Sequence, residues 1–146
     1  MKAKLNNRGF SLIELAIGIA IVAVLIFAVS AGSGIRANAN IQSAAKSVNT
    51  LRIAAENYIA AGNLTYTGID IAALQASDFL PAGFSATGSN SFGGDYAVAA
   101  NANPTLVDVS LTSVDATSAG RLDALFTNSA NSINYDGGTE TWTVTF

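Results

Sequence analysis

The sequence predicts an α+β fold, a long N-terminal helix packed on a small antiparallel β-sheet head. Three observations point there. No proline stands before Pro81, so nothing breaks a helix running from Phe10 to about Ala61. Ile41, Ala45, Val48, Leu51, Ala55 and Tyr58 recur at spacings of four and three residues, an apolar stripe on a helix whose other faces carry Gln42, Lys46, Asn49 and Glu56. Towards the C-terminus apolar residues alternate with polar ones, the pattern of half-buried strands. A striped helix and a sheet with one apolar face can each bury what the other exposes.

Taken in order, Met1 to Gly9 is a short leader with Lys2, Lys4 and Arg8 and no acid. Residues 10–35 form a hydrophobic transmembrane-type half-helix, since Leu15 to Ile35 holds no Asp, Glu, Lys or Arg over 21 residues. At about 1.5 Å per residue that run spans about 31 Å, close to the hydrocarbon thickness of a bilayer. The basic flank keeps the N-terminus cytoplasmic and sends residues 36–146 out as a globular head. Gly32 and Gly34 each cost about 1 kcal/mol against alanine in a helix interior. They mark either a tolerated close-packing surface or a place where the helix bends or melts on assembly. Gly62-Asn63 ends the helix.

Leu64 to Asn90 is turn-rich, with a short helix expected near Ile71 to Ser77. Asp95 to Ala100 and Leu106 to Val114 read as strands separated by the turn Asn101-Ala102-Asn103-Pro104. Asp115 or Thr117 caps a further helix whose Leu122, Leu125 and Phe126 share a face. Ile133 to Phe146 reads as a hairpin around Asp136-Gly137-Gly138, with Tyr135, Trp142, Val144 and Phe146 alternating against polar residues.

Composition narrows the function. There is no cysteine and no histidine, which removes disulfides, thiol nucleophiles, and the usual general base and metal ligands. The adjacent Lys46 and Ser47 do not face each other on a helix, so they make no dyad. The reading is a non-enzyme without cofactor. Asp95, Asp108, Asp115 and Asp136 are scattered rather than spaced like a calcium loop, so no metal is predicted. Beyond Gly9 four basic side chains face all ten acids, a balance of −6, which gives no basic patch for nucleic acid. Phe10, Phe27 and Tyr58 lie too far apart on the helix to form a conducting stack. Asn63-Leu64-Thr65 fits the N-glycosylation pattern, a short motif of high chance frequency.

Glu14 is the exception that carries information: a lone carboxylate at the mouth of the apolar run. By itself it would mark a helix N-terminus, where the dipole favours an acid by about 0.3–1 kcal/mol. It stands, however, in a basic leader followed by Gly9 and Phe10-Ser11-Leu12-Ile13-Glu14-Leu15. Over residues 1 to about 60 the chain resembles the type IV pilins and pseudopilins, whose class III signal peptide has this form. The resemblance implies cleavage between Gly9 and Phe10 by a prepilin peptidase, followed by N-methylation of Phe10. It further implies an inner-membrane stage before assembly, an assembly platform with its ATPase motor, and then an extracellular helical filament of many copies of the chain. Phe10 and Glu14 would be the assembly residues, the new Phe10 amine of one subunit neutralising Glu14 of the next.

Val29-Ser30-Ala31-Gly32, Ala44 to Asn49 and Asn90 to Gly94 are similar in flavour to the type IVb subclass. The chain departs from many pilins in having no disulfide and no proline near Ala31, where Gly32 and Gly34 would supply the softness. Two alternatives share the data. A pseudopilin of a type II secretion system has the same N-terminus. A secreted soluble domain would use Val29-Ser30-Ala31 as an ordinary signal-peptidase site. Adhesion, motility, secretion and DNA uptake depend on partners the chain does not encode.

Overall fold

The computed structural model describes residues 12–81, 84 and 89–146, with the backbone alone over 28–33. The elements run α1 (Leu12–Ala60), α2 (Ile71–Ala76), β1 (Tyr96–Ala100), β2 (Val107–Leu111), α3 (Ala116–Phe126), β3 (Ser132–Asp136) and β4 (Thr141–Thr145). The α+β class is therefore as predicted, and the expected helix start at Phe10 lies outside the described residues. Two compact units divide after Arg36.

The first unit, described from Leu12, is helical and apolar on every side. No large apolar side chain listed between Leu12 and Phe27 is less than 54 % exposed. α1 continues as helix through residues 32 and 34, and no atom lies within 4 Å of where a Cβ on Gly34 would stand.

In the second unit α1 buries Ile41, Ala44, Ala45, Val48, Leu51, Ala54 and Ala55. The predicted stripe is present, widened by Ala44 and Ala54 and with Tyr58 half-buried at its end. α1 stops as Gly62 enters the left-handed region at φ 107°, and the Asn63 side-chain amide donates to the Tyr58 carbonyl at 2.8 Å. That bond satisfies one of the orphan carbonyls of a helix end. The short α2 forms where expected because the Asp70 side chain accepts the Ala73 N–H at its start.

The sheet is antiparallel in the order β1-β2-β4-β3. α3 is the crossover that carries the chain past β4's place to the edge position of β3. Val98, Val107, Val109, Leu111, Trp142 and Val144 line the inner face and join α1's buried residues in one core. The outer face is polar and internally bonded: the Ser110 and Thr143 hydroxyls lie 2.9 Å apart. Asp108 there accepts the Thr145 hydroxyl at 2.7 Å and the Asn101 amide at 3.0 Å. At the inner face's edge the Arg52 guanidinium lies 4.9 Å from the centre of the Phe146 ring, while its Nε donates to Glu56 at 2.9 Å.

One expectation fails on α3. Leu122 and Phe126 are buried, but Leu125 is 48 % exposed. The buried arc of α3 is Ser118, Ala119, Leu122 and Phe126, which at 100° per residue leaves Leu125 on its margin. The strand expected over Leu106 to Val114 is also shorter, because Ser113 takes φ 60° and turns the chain towards α3.

The loop before β1 is tied by one side chain. Asn90 is 4 % exposed. Its carbonyl oxygen accepts the N–H groups of Phe92 and Gly94, and its amide donates to the carbonyls of Asp95 and Thr112. Asn90→Ala strands those backbone groups and is expected to cost about 2–4 kcal/mol, read as a lower midpoint in urea unfolding of the full chain in detergent. Gly94 is equally constrained, since a Cβ there would lie 2.2 Å from the Thr112 carbonyl oxygen.

Candidate functional site

The site suggested by the sequence is the start of α1. Glu14 is the acid of the first helical turn. One turn further on, Gly18 has nothing within 4 Å of where a Cβ would stand. Glu14, Leu15, Gly18, Ile19 and Val22 together line a shallow notch on one side of the helix. Glu14 thus borders an indentation whose other walls are aliphatic or backbone. Gly18 went unnoticed in the sequence; its signal was the four-residue spacing from Glu14. Gly9 and Phe10, the expected cleavage and methylation positions, lie outside the described residues.

Chemically, a carboxylate at the end of an apolar helix binds a cation and little else. The aliphatic walls offer no donor, so the partner must bring its own charge. The exposed side chains of Leu12 to Phe27 require a cover of lipid or of other helices, since so large an apolar surface is unfavourable in water. Among the described residues no helix is long and apolar enough to cross a membrane. The described side chains of the run extend from Leu12 to Phe27 and resume at Gly34.

The head offers no competing chemistry. Its acids are engaged in the fold: Asp70 and Asp115 cap helices, Asp108 bonds across the sheet, and Asp123 accepts the Trp142 indole N–H at 2.7 Å. Among the described residues no three of His, Cys, Asp and Glu cluster so as to hold a metal ion. Lys46 is exposed and neighbours the half-buried Ser47 in sequence only. Asn63 of the glycosylation pattern is occupied in closing α1.

Two of these acids make stability depend on pH. The Ser118 hydroxyl, followed by the Ser118 and Thr117 N–H groups, holds the Asp115 carboxyl below its usual range. The Gly138 N–H and then the Thr139 hydroxyl do the same for Asp136. Carboxyls depressed by folding bind fewer protons folded than unfolded. Their contribution is complete above the unfolded value of about 3.9 and is lost as pH falls through the folded values. The thermal midpoint should therefore be level with respect to these groups from pH 7 to 5 and fall in more acid solution, with part of that fall absent in Asp115→Asn.

Residues 4–30 match the model of the prokaryotic N-terminal methylation motif, a stretch of 27 of the chain's 146 residues that encloses Gly9, Phe10 and Glu14. No curated protein and no solved structure matches the chain. On that match and on an α1 that opens with Glu14 in an otherwise apolar surface, the chain carries the class III signal peptide of type IV pilins and pseudopilins.

Proposed function

We propose that the chain is a structural subunit of a type IV pilus-type filament. The motif marks a type IV pilin-like or pseudopilin precursor, processed by a prepilin peptidase and anchored in the membrane before assembly. In the fuller reading, residues 1–9 are removed as a leader and Phe10 is methylated. Residues 10–35 hold the subunit in the inner membrane with its N-terminus cytoplasmic and then form the filament core, and 36–146 are the head. The observation that carries this is Glu14, placed in the first turn of a helix that is otherwise apolar from Leu12 to Phe27.

The physics of that placement drives assembly. An acid within a bilayer costs up to about 3 kcal/mol at mid-membrane and less towards the interface. Cleavage before Phe10 creates an amine close to Glu14 in sequence, and a neighbouring subunit presents the same pair. Glu14 of one copy with the Phe10 amine of the next neutralises both in a core of aliphatic side chains. A subunit in the wrong register leaves a buried charge alone, at several kcal/mol. Gly32 and Gly34 serve as the softer part of α1; Gly32→Ala with Gly34→Ala should leave the unassembled head unchanged and lower filament yield, measured in the sheared surface fraction.

The reading as a secreted soluble domain is disfavoured by α1 itself. The helix runs unbroken past residue 31, and its Ile41 to Tyr58 stripe lies in the core where a signal peptide would be followed by a loop. N-terminal mass analysis of the mature chain tests the proposal. A chain beginning at methylated Phe10 supports it, and one beginning at Gly32 overturns it.

A further inference from the structure

We infer that Arg121 is a membrane-surface contact of the unassembled subunit, binding phospholipid headgroup phosphate and setting how the head stands on the bilayer. The inference rests on the proposal that residues 10–35 insert into the membrane.

Its structural basis lies within the head unit. An Arg121 guanidinium N–H donates to the Asn38 side-chain oxygen at 2.7 Å, joining residues 83 apart in sequence. Asn38 follows the last residue of the uncharged run, Ile35, by three positions. Chain connectivity alone keeps it within about 10 Å of that residue. A bilayer's headgroup layer adds about 5–8 Å on each side of the hydrocarbon. With the run inserted, a guanidinium bonded to Asn38 is held at headgroup level.

The remaining chemistry fits phosphate. Arg121 is exposed, and Arg52–Glu56 is the ion pair found among the described residues, so no carboxylate there claims the Arg121 charge. One N–H is spent on Asn38, and the other guanidinium donors remain for oxygens. The surroundings sharpen the effect. Beyond Ile35 nine acids face four bases, so an anionic leaflet repels the head as a whole while attracting its basic positions. Such a field orients the head with Arg121 towards the membrane. The Asn38 bond fixes where that charge is presented, which makes Asn38 a positioning residue.

The test uses the full chain reconstituted in vesicles of phosphatidylglycerol with phosphatidylcholine, or of phosphatidylcholine alone. The chain has no cysteine, so a fluorophore can be placed at Ala124→Cys, an exposed position on α3, and quenched by headgroup spin-labelled lipid. Arg121→Gln keeps an amide donor for Asn38 while removing the charge. It should lower the docked-to-undocked ratio about fivefold in anionic vesicles and change nothing in phosphatidylcholine. Arg121→Lys should retain most of the contact, Asn38→Ala should weaken it, and inorganic phosphate at constant ionic strength should not displace it. Equal quenching of the parent and Arg121→Gln chains on anionic vesicles, with both still floating with the lipid, overturns this inference alone. Failure of the parent chain to float overturns the insertion reading and this inference with it.

Discussion

Glu14→Ala is expected to give subunits that are cut and retained in the inner membrane but build no filaments, with the sheared surface fraction reduced at least about tenfold. The direction follows from what the substitution removes. In the membrane the alanine chain is more comfortable than the parent, by up to about 3 kcal/mol, so insertion and retention survive. In the filament the newly exposed Phe10 amine of the adjoining subunit loses its counter-charge and is left in a core walled by Leu15, Ile19 and Val22 side chains. An uncompensated buried charge costs about 3–5 kcal/mol per contact, and each added subunit repeats the cost. A tenfold loss needs only about 1.4 kcal/mol, so the estimate is conservative. Cell fractionation with N-terminal mass analysis separates this from a processing defect, because the retained chain must still begin at Phe10. Abundant filaments of normal appearance would remove Glu14 from the mechanism.

Trp142→Ala is expected to destabilise the head by about 3–5 kcal/mol, the range for deleting a large buried aromatic. Trp142 is fully buried, its ring centre lies 5.6 Å from that of Phe126, and its N–H is bonded to Asp123 at 2.7 Å. One side chain thus fastens β4 to α3, a task for which this cysteine-free chain has no disulfide. The loss leaves a cavity and removes a charge-assisted bond, against a typical domain stability of about 5–15 kcal/mol. Trp142→Phe keeps most of the volume and should cost clearly less. The difference in urea midpoint between the two variants measures the cavity, and equal midpoints for Ala and the parent would show that the ring is not part of the core.

The long helix and the membrane-type run were legible because both are local patterns: absence of proline and charge, and a stripe at three- and four-residue spacing. The strands were legible from alternation, since Val107, Val109 and Leu111 do turn inward as Asp108 and Ser110 turn out. Strand order was not. Nothing in the local pattern says that β2 pairs with β4 rather than with β3, because the deciding fact is how α3 packs in three dimensions. The same limit hid Asp123 beneath Trp142 and Asn38 beside Arg121, contacts between residues 19 and 83 positions apart. Asn90 was visible only as part of a glycine-rich loop; its four bonds exist once β2 has brought Thr112 alongside. Leu125 shows the converse error, since hydrophobicity and near-correct spacing do not bury a residue when the small Ser118 and Ala119 set the contact face.

At the candidate site the balance is reversed. Glu14 drew notice because a charge in an apolar run is costly, a statement about energy rather than about neighbours. Its placement in the first turn of α1 and the notch opened by Gly18 add shape to that argument. What neutralises the carboxylate belongs to the assembled state, where the second partner is another copy of the chain.

The most direct measurement is the position of the Phe10 nitrogen in filaments assembled from the processed chain. A map of the helical core at side-chain resolution should place that nitrogen within about 4 Å, ion-pair distance, of a Glu14 carboxylate belonging to a neighbouring subunit. Filaments in which every Phe10 nitrogen stands far from every neighbouring Glu14 would contradict the account.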